Sequence, residues 1–220
     1  MKFDWIKDEK ENALIYVGDT MCSWCYGFTP ELDKFISLHP ELKLRLVQGG
    51  LRPNNTEKII DKKEFLKSHW VEINKRTNQP FGYDILDNPD FIYDTEPASR
   101  AVVVARMIDP EKELDFFKAV QIAFYAEGKD TSDINTYLNI AKSLEIDSKK
   151  FEELFDSEEA RYATKVDFQL SSEMGIRGFP SIVLKMGNQF YMISNGYREA
   201  KDLETVYENV MKELNEVVKE

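Results

Sequence analysis

A chain of 220 residues in which 42% are hydrophobic and 12% aromatic holds enough apolar material for a packed core, which excludes an intrinsically disordered chain. Its formal net charge of -11 opposes binding to nucleic acid or to an anionic membrane through a general field. No apolar run approaches the ~20 residues of a membrane span, and the acidic, broken stretch Met1–Glu11 lacks the apolar core of a signal peptide, so a cytoplasmic chain is expected.

In chain order, residues 1–12 read as a charged lead-in whose Phe3, Trp5 and Ile6 can pack on the domain. The apolar run Ala13–Val17 is rich in strand formers and closed by Gly18-Asp19, which predicts a buried strand. Both cysteines of the chain follow at once, in Met21-Cys22-Ser23-Trp24-Cys25-Tyr26-Gly27-Phe28. Apolar residues then recur at Tyr26, Phe28, Leu32, Phe35, Ile36 and Leu38, close to helical spacing, until Pro40 ends the pattern. His39 is expected at the end of this helix, facing its dipole, and not as a catalytic base. Leu42–Val47, closed by Gly49-Gly50, predicts a second strand. Two strands joined by a helix make a βαβ unit, with parallel strands and a right-handed crossover.

From Asn54 to about Asp167 helical patterns dominate. Asn54–Glu57 can cap a helix carrying Ile59, Ile60, Phe65 and Leu66, with His69-Trp70-Val71 beyond it and a loop at Asn78–Gly82. His69 reads as packing, not as a ligand. Ala98–Ile108 predicts a buried helix, and Asp109-Pro110 starts another whose apolar face holds Phe116, Phe117, Val120, Phe124 and Tyr125. Asp130–Asp133 and Asp147-Ser148 begin two more, through Leu144 and Phe155. Ser157–Met174 is one long helix stopped by Gly175. Strand signals then return in Ile176–Lys185 and Phe190–Ile193, a hairpin turning at Met186–Gln189, before a last helix from Glu199 to Val218. Pro180, directly before a strong strand, marks either a strand's first residue or a cis peptide bond in a tight turn.

A Cys-x-x-Cys pair where a strand passes into a helix can alternate between dithiol and disulfide. Cys22 would face the free N–H groups and positive dipole of the helix, which favour thiolate, although a dipole supplies only about 0.3–1 kcal/mol. Cys25, one turn inside, would resolve a mixed disulfide between Cys22 and substrate. A structural disulfide closing so small a loop removes little unfolded-state entropy. Zinc wants four ligands, and only His39 and His69 remain as nitrogen donors, so no metal is expected. Two core cysteines at this spacing by chance stay open on the pair alone.

The chain resembles the DsbA-like branch of the thioredoxin superfamily, and within it the cytoplasmic bacterial protein-disulfide isomerase group related to FrnE. The resemblance rests on Asp19–Phe28, Glu96-Pro97-Ala98-Ser99-Arg100-Ala101, Ala123–Asp130 and Gly175-Ile176-Arg177-Gly178-Phe179-Pro180-Ser181. It implies an α/β thioredoxin-like fold formed by residues 1–53 and 168–220, with a large all-helical insertion at 54–167. It implies Cys22 as nucleophile, Cys25 as resolving thiol, Ser23 and Trp24 as redox tuning, and a cis Pro180 beside the pair. The Phe179 backbone would offer strand-like hydrogen bonds to an extended substrate. The expected activity is reduction or isomerisation of disulfides in client proteins or peptides. No bound cofactor is implied, and glutathione or another cellular thiol would donate electrons. Ser-Trp is neither Gly-Pro nor Pro-His, so no redox potential carries over, and FrnE's further cysteine pair is missing. The position where thioredoxins bury a carboxylate falls in the apolar strand, and Asp19, the nearest acid, reads as a turn residue and not as a proton relay. Two other readings remain: a kappa-type glutathione-dependent transferase or isomerase, which needs no resolving cysteine, and a non-catalytic peptide-binding or chaperone module.

Overall fold

Strand β1 (Ala13–Gly18) is buried at every residue, as expected of a strand covered on both faces. It pairs in parallel with β2 (Lys43–Gln48) and antiparallel with β3 (Ser181–Met186). β4 (Gln189–Asn195) pairs antiparallel with β3, giving a four-stranded sheet in the order β2-β1-β3-β4. Gly18 lies opposite Gln48, and Val17 opposite Ser181, so the ends of β1 and β2 and the start of β3 meet at one edge. The architecture is the thioredoxin-like fold with a helical insertion that the sequence predicts. The structure is a computed structural model and describes residues 6–217. Of the expected lead-in contacts, Phe3 and Trp5 lie outside the described residues, as does Val218 at the end of the last helix, while Ile6 packs on the sheet. The lead-in is tied down by Lys185, whose buried Nζ donates to the carbonyls of Asp8, Glu11 and Gly187 at 2.7–2.8 Å.

Helix α1 (Ser23–Leu38) crosses from β1 to β2 and contains Pro30. Proline has no N–H to give to the Tyr26 carbonyl. The Gln79 side-chain amide replaces it at 3.2 Å, which fixes the loop after the next helix. That helix, α2 (Lys63–Thr77), differs from expectation at its start. Ile59–Lys62 form a 3-10 turn, and the α-helix begins only at Lys63. The Asn54 N–H instead donates to Asp94 (2.8 Å), and the Asn55 side-chain NH2 to the Tyr93 carbonyl (3.1 Å), so distant partners hold this stretch outside a helix. His69 and Trp70 also lie inside α2 rather than beyond it. Trp70 is fully buried among Phe81, Phe124 and Tyr125, and that packing extends the helix to a left-handed stop at Asn78.

The remaining helices are α3 (Glu96–Ile108), α4 (Glu113–Tyr125), α5 (Ile134–Ser143), α6 (Ser148–Phe155), α7 (Glu158–Glu173) and α8 (Ala200–Val217). Asp133, Asp147 and Ser157 accept backbone N–H groups at the starts of α5, α6 and α7. Asp109 caps a 3-10 turn at Pro110–Lys112, so α4 proper begins at Glu113. Gly175 ends α7 with φ +72, a conformation that suits glycine. On one face of the sheet a single apolar cluster runs from Leu14 and Tyr16 through α1 into the insertion. On the other, Ile15, Val17, Val47 and Val183 pack on Leu170 of α7.

A buried ion cluster joins the insertion to the end of β2. Asp167 is fully buried and accepts from Arg106 at 2.7 and 3.1 Å and from the Gln48 N–H at 2.9 Å. Arg106 also donates to Glu113 at 3.1 Å. Burial pushes the Glu113 carboxyl up to about 8, against the opposing pull of Arg106. A carboxyl raised on folding binds its proton more tightly in the native state, so its contribution to stability is full below its unfolded value and is lost as pH rises through about 8. Urea midpoints measured from pH 5 to 9 should therefore fall with pH, and Glu113→Gln should flatten that slope. An equally steep fall in the variant would contradict the assignment.

Candidate active site

Beyond β1 the chain turns at Asp19, which is fully buried. Its Oδ1 accepts the Met21 N–H (2.9 Å), and Oδ2 accepts the Leu51 N–H (2.7 Å) and the Thr95 hydroxyl (3.2 Å). Burial pushes this carboxyl up to about 6, although those donors hold it down. The Asp19 carbonyl accepts the Cys22 N–H at 3.1 Å, which closes the turn. Asp19 thus has the turn and helix-entry place read from the sequence.

Cys22 is the N-cap of α1, in an extended conformation (φ -94, ψ 116), and its carbonyl takes the first helical bond from the Tyr26 N–H at 3.1 Å. Cys25 is the third residue of the helix. Both cysteines are free thiols. The exposures differ in the way a two-step exchange needs: 8% for Cys22 and none for Cys25. Burial, then the neighbouring Cys22 thiol, pushes the Cys25 thiol well above its ordinary range.

The Cys22 thiol donates to the Phe179 carbonyl at 3.8 Å, across 157 residues of chain. The Phe179–Pro180 peptide bond is cis, and Pro180 is buried. A Cβ at Gly49 would lie 2.3 Å from the Phe179 ring, so the glycine after β2 leaves the space in which that ring sits. Ser23 is nearly buried. Trp24 is half-buried, against Tyr197 (centroids 5.6 Å) and His69 (6.0 Å), with the Arg76 guanidinium 5.7 Å above its ring. A cleft of about 370 Å³ lined by Arg76, Tyr197, Arg198 and Asp202 opens beside this stack. Cys22, Phe179 and Pro180 therefore come together, whereas the Trp24 ring belongs to an aromatic cluster shared with α2 and the loop before α8. His39 sits at the end of α1, its Nε2 2.8 Å from Glu204 and its ring on Tyr207. Among the described residues no group of three His, Cys, Asp or Glu is arranged to hold a metal ion.

The sequence reading passed over the residues that clamp the cysteine turn from the insertion. The Tyr93 hydroxyl donates to the Met21 carbonyl at 2.8 Å, and the Thr131 hydroxyl to the Met21 sulfur at 3.6 Å. Thr95 adjoins the Glu96-Pro97 landmark but carries no periodic signal of its own. Tyr16, also passed over, is the one hydroxyl-bearing residue of the run Ala13–Val17.

The model of the DSBA-like thioredoxin domain matches residues 13–208, and the chain belongs to that family. Its structure is similar to that of a candidate protein disulfide isomerase from Nitrosomonas europaea, at 34% identity and TM-score 0.86, covering 93% of this chain and 99% of the other. It is also similar to the cytosolic disulfide reductase DsbM from Pseudomonas aeruginosa, at 23% identity and TM-score 0.75, over 91% and 98% of the two chains. DsbM with GSH gives TM-score 0.73 at the same identity, over 91% and 99%. The two DsbM likenesses speak for the fold. Among curated proteins none matches. The family and the pair of free thiols support disulfide redox activity.

The unequal exposure has a direct chemical readout. Iodoacetamide at neutral pH should alkylate Cys22 at least ~10-fold faster than Cys25 in the native protein, with the two rates converging in denaturant, as read by peptide mass spectrometry. Equal native rates would contradict the division of roles.

Proposed function

We propose that the protein reduces or isomerises disulfides in client proteins or peptides through Cys22 and Cys25. The observation that carries this reading is the slightly exposed thiol of the N-cap residue of α1, lying against the Phe179 carbonyl and backed by a fully buried second thiol. In reduction, the Cys22 thiolate bonds to one sulfur of a client disulfide, and the other sulfur leaves with the electron pair and takes a proton. Cys25, deprotonated, then bonds to Cys22 Sγ and expels the second client sulfur, leaving a Cys22–Cys25 disulfide. Two electrons and two protons have passed to the client. Two thiols, glutathione being the proposed donor, restore the pair and leave as their own disulfide. The GSH complex of DsbM supports that choice. In isomerisation, Cys22 attacks and is expelled by another client thiol, with no net oxidation.

An extended client would pair with the Phe179 backbone next to the reacting sulfur. Ser23 and Trp24, between the two cysteines, would tune the thiolate. A cytoplasmic setting is proposed as well, since DsbM is cytosolic and both cysteines of this chain belong to the pair. Where the compartment is reducing the pair rests as a dithiol, which favours reduction or isomerisation over net oxidation.

The test is the equilibrium of the pair in glutathione buffers, with insulin reduction beside it. A reversible two-electron couple is expected, and turnover should fall to background in Cys22→Ser. Cys25→Ser should still make the first attack and accumulate a mixed disulfide visible by mass spectrometry. Turnover indifferent to Cys22 would sink the reading.

A further inference from the structure

Tyr16 carries a hydroxyl that neither the fold nor the exchange steps above employ. The residue is 1% exposed, and its ring is held by Phe28 (centroids 6.0 Å) and by the edge of Phe117 (5.8 Å). The ring folds over the end of its own strand. A Cβ at Gly18 would stand 2.7 Å from both the ring and the hydroxyl oxygen, so a glycine two residues on leaves the space the hydroxyl fills. That oxygen is buried and makes no well-formed hydrogen bond among the described residues. Buried hydroxyls are ordinarily paired, because an unpaired one has given up its water bonds for nothing. The fully buried Cys25 sulfur lies within interaction range of this hydroxyl.

A neutral thiol is a weak acceptor, which explains a donor left idle in the dithiol state. A thiolate is a strong one. Resting on the redox reading, we propose that Tyr16 is a catalytic hydrogen-bond donor to the Cys25 thiolate. It acts whenever charge resides on that sulfur. In resolution, Cys25 gives up its proton to solvent and bonds to Cys22 Sγ, while the client sulfur departs with the electron pair and is protonated. In regeneration, a glutathione thiolate bonds to Cys22 Sγ, and Cys25 leaves with the pair as a thiolate. Tyr16 keeps its own proton throughout. Burial holds the Tyr16 hydroxyl well above the usual phenol range, so it can donate but not serve as a base. The Cys22 thiol, the Tyr16 hydroxyl and the Asp19 backbone act on Cys25, and of these the Tyr16 hydroxyl is a neutral side-chain donor within the buried core.

Tyr16→Phe keeps the ring and deletes only the unpartnered oxygen, so its unfolding midpoint should equal or exceed that of wild type. Single-turnover resolution of a mixed disulfide between Cys22 and glutathione should slow about tenfold or more at pH 7, and the pH midpoint of that step should move up. The first attack, measured in a Cys25→Ser background with and without Tyr16→Phe, should keep its rate. A 3-fluorotyrosine in place of Tyr16, a stronger donor of nearly the same size, should move the pH midpoint down. Wild-type resolution with an unmoved midpoint in both variants overturns the proposal. A wild-type protein without a reversible couple fails before Tyr16 is altered, which is the separate failure of the redox reading.

Discussion

One buried carboxylate sets where the Cys22 sulfur can be. Asp19 accepts from the Met21 N–H on its own turn, from the Leu51 N–H just past β2 and from the Thr95 hydroxyl in the insertion, and its carbonyl receives the Cys22 N–H. Three pieces of chain, far apart in sequence, are thereby fixed to one side chain. A carboxylate without water is costly, and three donors offset that cost. Burial still raises this carboxyl to about 6, so the offset is partial and the donors' positions matter. Once Asp19 is held, the first turn of α1 has one place to start, and Cys22 becomes its cap.

The sheet register provides the second wall of the site. Val17 lies opposite Ser181, so Pro180 and Phe179 reach the same edge as the cysteine turn without an intervening loop. The Gly49 N–H donates to the Gly18 carbonyl at 2.7 Å, and that backbone then passes under the Phe179 ring, where a Cβ would collide. Each strand end thus limits a neighbour: β2 places Gly49, Gly49 admits Phe179, and the Phe179 carbonyl meets the Cys22 thiol.

What could be read from the sequence was what neighbouring residues decide. Strand β1, the caps at Asp133, Asp147 and Ser157, the stop at Gly175 and the cysteine pair at a strand–helix junction all depend on a few adjacent side chains. The misreadings fall where distant partners prevail. Asn54 and Asn55 form a sound capping signal, yet their groups bond to residues 93 and 94, and the helix starts eight residues past Asn55. Trp70 reads as lying past a helix end because the rings that enclose it come from 81, 124 and 125. In the site itself, Cys22, Cys25 and Pro180 were legible from motif and family resemblance. Tyr93 and Thr131 were not, since a tyrosine or threonine in a helical region carries no sign that its hydroxyl reaches Met21 over 72 or 110 residues.

Those two contacts make the insertion more than a cover. Met21 is fully buried and directly precedes Cys22, with its carbonyl held by Tyr93 and its sulfur by Thr131. The same cluster that encloses Met21 encloses Cys25, and one continuous apolar core runs from there to α6. Water is therefore excluded from the second sulfur by residues of the insertion as well as of the thioredoxin-like part. Excluding water raises the energy of any charge on Cys25, while Cys22, at the helix N-terminus, keeps the small exposure that Cys25 lacks. The insertion thus sharpens the difference in burial between two chemically identical side chains three positions apart.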